Sequence, residues 1–307
     1  MSFCAEIKDE LARIVPEHKT CRVAELAAIS RIDGHVVGGM SLEISVENAA
    51  VARIIIRLLH ELYSLKTSIT TQRPFANRAT NYTIIVPAQA NSKAAISDLG
   101  LDDKAHIDEG ARLEITHAQC CKASYLRGAF LACGFVSDPR SKAHFELACD
   151  DDTLARTLIA LMAECGIKAH SATWHHNWVV YLKDADQITD FFALTGAHKA
   201  VLAIENTRVT KSIRNEENRL VNAEIANQVK SAKASIEQVR QMRLLLERVG
   251  SDGLPPALVG IINLRLEHPD VSLRELGRLA SPPLSKSAVY HRIRRIEEMA
   301  AHYDEEE

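Results

Sequence analysis

Ser41-Leu-Glu-Ile-Ser-Val-Glu-Asn-Ala-Ala-Val-Ala-Arg53 and His144-Phe-Glu-Leu-Ala-Cys-Asp-Asp-Asp-Thr-Leu-Ala-Arg156 follow one pattern, 103 positions apart. Leu42-Glu43-Ile44 matches Phe145-Glu146-Leu147, and Ala52-Arg53 matches Ala155-Arg156. Leu58 and Glu61 meet Leu161 and Glu164 at the same spacing. Farther on, the run Asn81 to Val86 resembles Asn177 to Leu182 at an offset of 96, which a gap in the second copy explains. Self-similarity at a fixed offset marks a duplicated structural unit.

Each copy has the same order of elements. A helix of small residues comes first (Ala24 to Ile32; Lys122 to Ala132), ended by Gly34 or Gly134. Next is an alternating strand, Ser41 to Glu47 or His144 to Cys149. A long amphipathic helix follows (Asn48 to Tyr63; Asp152 to Cys165), with Asn48 or Asp151/Asp152 as the N-cap. Two strands then pair as a hairpin: Thr67 to Gln72 with Tyr82 to Val86, and Ala169 to Trp174 with Trp178 to Leu182. The first hairpin turns through Arg73 to Thr80 and the second through His175-His176-Asn177. A helix from Asp184 to Leu194, followed by Gly196, closes the second copy.

From Thr207 to Arg248 strands stop, and the chain is polar and helix-favouring without Pro or Gly. Gly250 to Pro256 interrupts it, and short helices follow. The expected division is 1–105 for the first repeat, 106–206 for the second, 207–248 for a helical linker and 249–303 for a C-terminal domain. The fold class is α+β: a duplicated helix–sheet repeat, then an all-α domain.

Residues 271–300, VSLRELGRLASPPLSKSAVYHRIRRIEEMA, have the strongest functional signature. Ser272-Leu-Arg-Glu275 is a capping box that opens a helix with Leu273, Leu276 and Leu279 as its apolar stripe. Ser281-Pro-Pro-Leu284 breaks it, and Ser285 is a natural N-cap for the next helix. Val289, Ile293 and Ile296 share one face and bury together. Relative to Val289, Ser287 then lies near about 160°, His291 near about 200° and Arg294 near about 140°. Tyr290 and Arg295 flank this face, and Lys286 and Arg292 sit at its edges. The outward surface carries no acid before Glu297, as a helix meeting base edges and phosphates in the major groove requires. Double-stranded DNA is the partner this pattern selects. The turn is Ser-Pro-Pro, whereas compact turns of this kind often contain Gly. A second polar stretch, 214–233, offers Arg219, Asn222, Asn227, Lys230 and Lys233 either to phosphate or a facing domain, or simply to solvent as a connecting helix.

Composition fits a globular chain with a real core: 307 residues, 47% hydrophobic and 25% charged. Aromatics are scarce at 5%, so mainly aliphatic cores are expected. The net charge of −3 confines any nucleic-acid site to a local patch. Charges in the first fourteen residues exclude a signal peptide, and no apolar run reaches the roughly 18 residues of a membrane span. A cytoplasmic, nucleoid-associated protein without a membrane partner is therefore expected. Seven irregularly spaced cysteines without C-x-x-C read as reduced thiols.

These stretches together resemble the WhiA family of sporulation and cell-division regulators of Gram-positive bacteria. The resemblance is most specific at Cys120 to Pro139, Asn218 to Asn227, Leu266-Glu-His-Pro269, Ser272 to Gly277 and Ser281 to Ser287. It implies two LAGLIDADG homing-endonuclease-like repeats joined to a helix-turn-helix of the sigma-factor region-4 type. Transcription control, with roles in cell division and chromosome segregation, is implied too, as is a WhiB-type iron–sulfur partner in actinobacterial relatives.

Homing endonucleases of this kind place one acid per repeat at the eighth motif position, where it holds Mg2+. Here Asp33 ends Leu26 to Gly34 at that position, but Cys133 stands at its counterpart in Leu126 to Gly134. A thiol is a poor ligand for a hard cation, so no catalytic residues, metal or cofactor are expected. Asp33 is expected to be a solvated or capping residue, and Asp138, before Pro139, a turn residue. Ala27, Ala28, Gly128, Ala129 and Ala132 would let the two motif helices pack closely. Adjacent His175 and His176 point opposite ways and do not share a metal. Cys120-Cys121 lacks a spaced partner pair, which makes zinc a weak reading. No Gly-rich phosphate loop or nucleophile elbow occurs.

Overall fold

The structure is a computed structural model and describes residues 2–72, 80–101, 116–174 and 177–304. The chain forms two compact units, Met1–Thr210 and Lys211–Glu307. No described helix is long and apolar enough to cross a membrane.

The first unit contains both repeats, each built on a four-stranded antiparallel sheet. After α1 (Phe3–Leu11), the first repeat runs α2 (Lys19–Asp33), β1 (Gly34–Val37), β2 (Ser41–Val46), α3 (Ala49–Tyr63), β3 (Ser68–Gln72), β4 (Asn81–Val86) and α4 (Ser92–Asp98). The second runs α5 (Gln119–Cys133), β5 (Gly134–Val136), β6 (Phe145–Cys149), α6 (Asp152–Glu164), β7 (His170–Trp174), β8 (Asn177–Leu182) and α7 (Ala185–Thr195). Strand orders are β1-β2-β4-β3 and β5-β6-β8-β7, so the duplication extends to topology. The hairpin turns through Arg73–Ala79 and His175-His176 lie outside the described residues.

Alternation fixes which face is inside. Leu42, Ile44 and Val46 are buried, and they pair with β4 as Leu42↔Val86 and Ile44↔Ile84. The second sheet repeats this with Phe145↔Leu182 and Leu147↔Val180. Its core stays mainly aliphatic, as expected, and adds one aromatic cluster of Phe130, Phe145, Phe191 and Phe192, with Phe145 and Phe191 ring centroids 4.5 Å apart. Asn48 caps α3 by accepting from Ala50 N at 2.7 Å, and Asp151 caps α6 by accepting from Leu154 N at 2.7 Å.

Helices α2 and α5 pack against each other along the repeat junction, with Ala24, Ala27, Ala28 and Ala129 buried. The approach is close at Gly128, where an added Cβ would stand 2.3 Å from the Glu25 carbonyl oxygen. Gly34 and Gly134 end these helices in an extended backbone (φ −101° and −77°), not a left-handed one. At Gly34 a Cβ would meet the Ser30 carbonyl at 2.3 Å, so glycine is required by space rather than by φ. Strands β1 and β5 begin directly at these glycines.

Helix α8 (His198–Val249) begins in the first unit and ends in the second. No Pro or Gly interrupts it, and Gly250 at φ 74° stops it. Residues 211–234 are exposed. Its final turns supply Met242 and Leu245 to the second core, which α9 (Pro256–Glu267), α10 (Leu273–Leu279) and α11 (Lys286–Asp304) complete.

Candidate nucleic-acid interface

Helices α10 and α11 form a helix-turn-helix. Ser272 caps α10, its hydroxyl accepting from Glu275 N at 3.3 Å. Ser285 caps α11, accepting from Ala288 N at 3.1 Å. The Leu284 amide donates to the Gly277 carbonyl at 2.8 Å and closes the turn. A Cβ at Gly277 would stand 2.4 Å from the Leu284 carbonyl oxygen. The glycine that permits this compact arrangement is therefore in α10, while the turn itself keeps Ser-Pro-Pro. Buried Arg265 secures the approach to α10 by donating to the Val271 carbonyl at 2.7 Å.

The apolar stripe expected on α10 is narrower than the sequence suggests. Leu276 is buried, Leu273 is half-buried and Leu279 is 47% exposed. Residues three apart drift by about 60° per step, so only the central leucine points squarely inward.

Val289, Ile293, Ile296 and Ala300 of α11 are buried. This leaves Lys286, Ser287, Tyr290, His291, Arg294 and Arg295 exposed. Tyr290 and His291 meet edge-to-face, with ring centroids 5.7 Å apart. Arg294 Nε lies 3.2 Å from Glu298 Oε1 in an exposed pair, a weak contact that phosphate or a base edge can replace. Arg292 is half-buried and donates to the Ala257 carbonyl at 3.4 Å, so part of its donor capacity is used within the fold. Glu297 accepts from Gln238 Nε2 at 3.2 Å, off the exposed face.

Two cations escaped the sequence reading. Arg274 and Arg278 of α10 are exposed and line an open groove with Ser272, Ser285 and Lys286. Their signal was present: each sits about 200° from buried Leu276, on the outer side of α10. Arg219, Asn222, Lys230 and Lys233 are all exposed on α8. Arg219 and Lys230 are three turns apart, as are Asn222 and Lys233, so the four share one helix face.

In the repeat unit, Asp33 and Cys133 are the last residues of α2 and α5. Asp33, expected as a solvated or capping residue, is half-buried at the end of its helix and lines an open groove with Lys8 and Glu47. Burial pushes its carboxyl up to about 7, with Lys8 opposing and Asp150 and Glu47 reinforcing. Cys133 Sγ donates to the Ala129 carbonyl at 3.3 Å, and burial holds its thiol well above the ordinary range. Lys8 of α1 adds a cation, donating to the Ala132 carbonyl at 3.4 Å. The two motif ends themselves offer one protonatable carboxyl and one thiol beside an ammonium, a poor pair of ligands for a hard divalent cation, with the carboxylates of Glu47 and Asp150 near Asp33. Asp138 is a turn residue, accepting from Arg140 N at 2.8 Å. Among the described residues, no strand contains Lys or Arg, while Glu43 and Glu146 lie on β2 and β6. The Cys120-Cys121 pair does have a third thiol near it, Cys21 of the other repeat.

Comparison with known proteins covers nearly the whole chain. Family models for the WhiA N-terminal LAGLIDADG-like domain, the WhiA LAGLIDADG-like domain and the WhiA C-terminal HTH domain match residues 19–102, 122–214 and 218–300. A relative from Desulforudis audaxviator, named "Probable cell division protein WhiA", is 42% identical, with 98% of this chain and 97% of that protein covered. One of the same name from Heliobacterium modesticaldum is 40% identical, with 98% and 96% covered. The fold matches a crystal structure of full-length DUF199/WhiA from Thermatoga maritima at a TM-score of 0.62 and 22% identity, covering 98% of this chain and 99% of that one. Duplicated sheets, paired motif helices and a C-terminal helix-turn-helix thus occur in the order these relatives share, and the chain belongs to the WhiA family.

Proposed function

We propose that the chain is a sequence-specific DNA-binding transcription regulator acting in cell division and chromosome segregation, and in sporulation in sporulating relatives. The observation that supports this most is the exposed surface of α11, where Ser287, Tyr290, His291, Arg294 and Arg295 stand opposite the buried Val289–Ile293–Ile296 stripe. His291 and Arg294 would meet base edges. Lys286, Arg292 and Arg295, with Arg274 and Arg278, would hold phosphates. Nucleoid association would follow from that binding. Arg219, Asn222, Lys230 and Lys233 form a further candidate phosphate-facing surface.

The LAGLIDADG-like half is, in this reading, a catalytically inactive scaffold. Two-metal phosphodiester cleavage needs paired oxygen ligands, and the motif ends supply Asp33, Cys133 and the Lys8 ammonium instead. Strands without Lys or Arg also offer little to a phosphate backbone. Genome-wide crosslinking to DNA tests the regulator directly: discrete promoter-proximal sites are expected, and uniform recovery would count against it. Supercoiled plasmid incubated with Mg2+ should remain intact, whereas cleavage abolished by Asp33→Asn would restore the alternative of a Mg-dependent LAGLIDADG-type endonuclease.

A further inference from the structure

Helices α2 and α5 start as well as run beside each other, and their first turns bring cysteines from both repeats together. Cys21 Sγ and Cys121 Sγ are 3.6 Å apart, and the sulfurs of Cys21, Cys120 and Cys121 all lie within 4.8 Å of one another. Cys21 and Cys121 are buried and Cys120 is exposed. The Thr20 hydroxyl is 3.5 Å from Cys121 Sγ.

The spacing suits a metal better than a disulfide. A Zn–S bond of about 2.3 Å in tetrahedral geometry separates neighbouring sulfurs by about 3.8 Å. The Cys21–Cys121 pair is already near that value, and exposed Cys120 can swing to complete the set. A disulfide requires about 2.05 Å and would leave the third sulfur unused.

Two helix N-termini offset part of the cost of holding thiolates there once a cation replaces the thiol protons. Both helices point positive N-terminal ends at the cluster. Neither His18 nor Ala118 makes a side-chain cap, and neither first turn contains an acid. Lys19 and Lys122 lie in these opening turns, Lys122 paired with Glu164 at 2.7 Å. In the metal-free protein, burial and the neighbouring sulfurs push the Cys21 thiol up to about 12, so binding must displace protons.

We propose that Cys21, Cys120 and Cys121 form a three-thiolate site for one thiophilic d10 cation of the Zn2+ type, which clamps the two repeats together at the N-termini of α2 and α5. The fourth coordination position faces solvent beside Cys120 and is open to water or an exogenous ligand.

The test uses full-length protein, reduced and stripped with chelator, titrated with Co2+ as a spectroscopic stand-in and then with Zn2+. The expected result is one equivalent of Co2+ per chain, with a thiolate-to-cobalt charge-transfer band and intense visible bands that Zn2+ abolishes. Cys120→Ser removes an exposed ligand, and circular dichroism establishes that the fold remains. Its affinity for Zn2+ should fall by more than about ten-fold and its charge-transfer band should weaken. Cys165→Ser should leave both unchanged. A wild-type spectrum without thiolate bands overturns the proposal, as does a spectrum unaltered by both Cys120→Ser and Cys21→Ser.

Discussion

Arg127 of the second repeat donates to Glu25 of the first at 2.6 Å, with both side chains buried. Its Nε approaches the same carboxylate oxygen at 3.2 Å, Nη1 donates to the Thr195 carbonyl at 3.2 Å, and Nη2 reaches Ser124 at 3.1 Å. Burial pushes the Glu25 carboxyl up, while the guanidinium pulls it back down. On balance the carboxyl stays raised, its Oε1 has no hydrogen-bond partner among the described residues, and every arginine nitrogen donates where the two repeats meet.

Breaking it should be expensive. Arg127→Ala leaves a buried carboxylate unpaired and should destabilise the first unit by about 3–5 kcal/mol. Replacing both partners, as Glu25→Leu with Arg127→Met, should recover much of that loss. Denaturant titration followed by tryptophan fluorescence reads this, since Trp174 and Trp178 both belong to the second repeat. Equal losses in the single and double variants would contradict the pairing.

The same junction predicts intolerance at Gly128. Alanine there places a methyl 2.3 Å from the Glu25 carbonyl oxygen, so the helices must separate. Overpacking of this kind costs about 1–3 kcal/mol, and a shift in the denaturation midpoint measures it. An unchanged midpoint would mean that the helices are not held this closely.

Asp33 predicts a pH dependence. Its folded carboxyl titrates at about 7 against a reference of 3.8, so folding takes up a proton between those values. Its contribution is fully present below 3.8 and is lost as pH rises through about 7. Asp33→Asn should therefore be more stable than wild type at pH 8, by at most about 4 kcal/mol, and similar to it near pH 4. Thermal unfolding across this range checks the sign. A variant less stable than wild type at pH 8 would show that Asp33 is held as a needed anion.

Much of this architecture is legible in the residues because alternation and capping are local. Leu42, Ile44 and Val46 announce a half-buried strand, and Asn48 and Ser285 occupy the caps their side chains suit. Strands β1 and β5 are not, since four and three residues, each beginning at a glycine, carry too little periodicity to read. The sequence of helix α1 shows its charges but not that it delivers Lys8 to the ends of the motif helices. The burial of Asp33 is not legible because its neighbours Lys8 and Glu47 come from elements distant in sequence. Cys21 lies 100 positions from Cys121, and only helix pairing brings their sulfurs together. On α11 the exposed surface followed directly from Val289, Ile293 and Ile296. The outward direction of Arg274 and Arg278 also follows from Leu276, but their grouping with Lys286 in one groove depends on the turn between the helices.

Ser285 connects stability to reading. Ser285→Ala removes the hydroxyl that accepts from Ala288 N and should cost about 0.5–2 kcal/mol at the start of α11. Because the first turn carries Lys286 and Ser287, DNA affinity should fall as well. Hydrogen exchange at Ser287 and Ala288 should accelerate, and unchanged protection would mean that the cap is dispensable.

The most direct test of DNA reading by α11 is an anisotropy titration of the full-length protein on a promoter site recovered by crosslinking, comparing wild type with His291→Ala/Arg294→Ala. With the fold intact by circular dichroism, specific affinity should drop by roughly 1–3 kcal/mol per lost base contact, while nonspecific binding changes less. Undiminished affinity and specificity in the double variant would contradict the assignment of α11 as the reading helix.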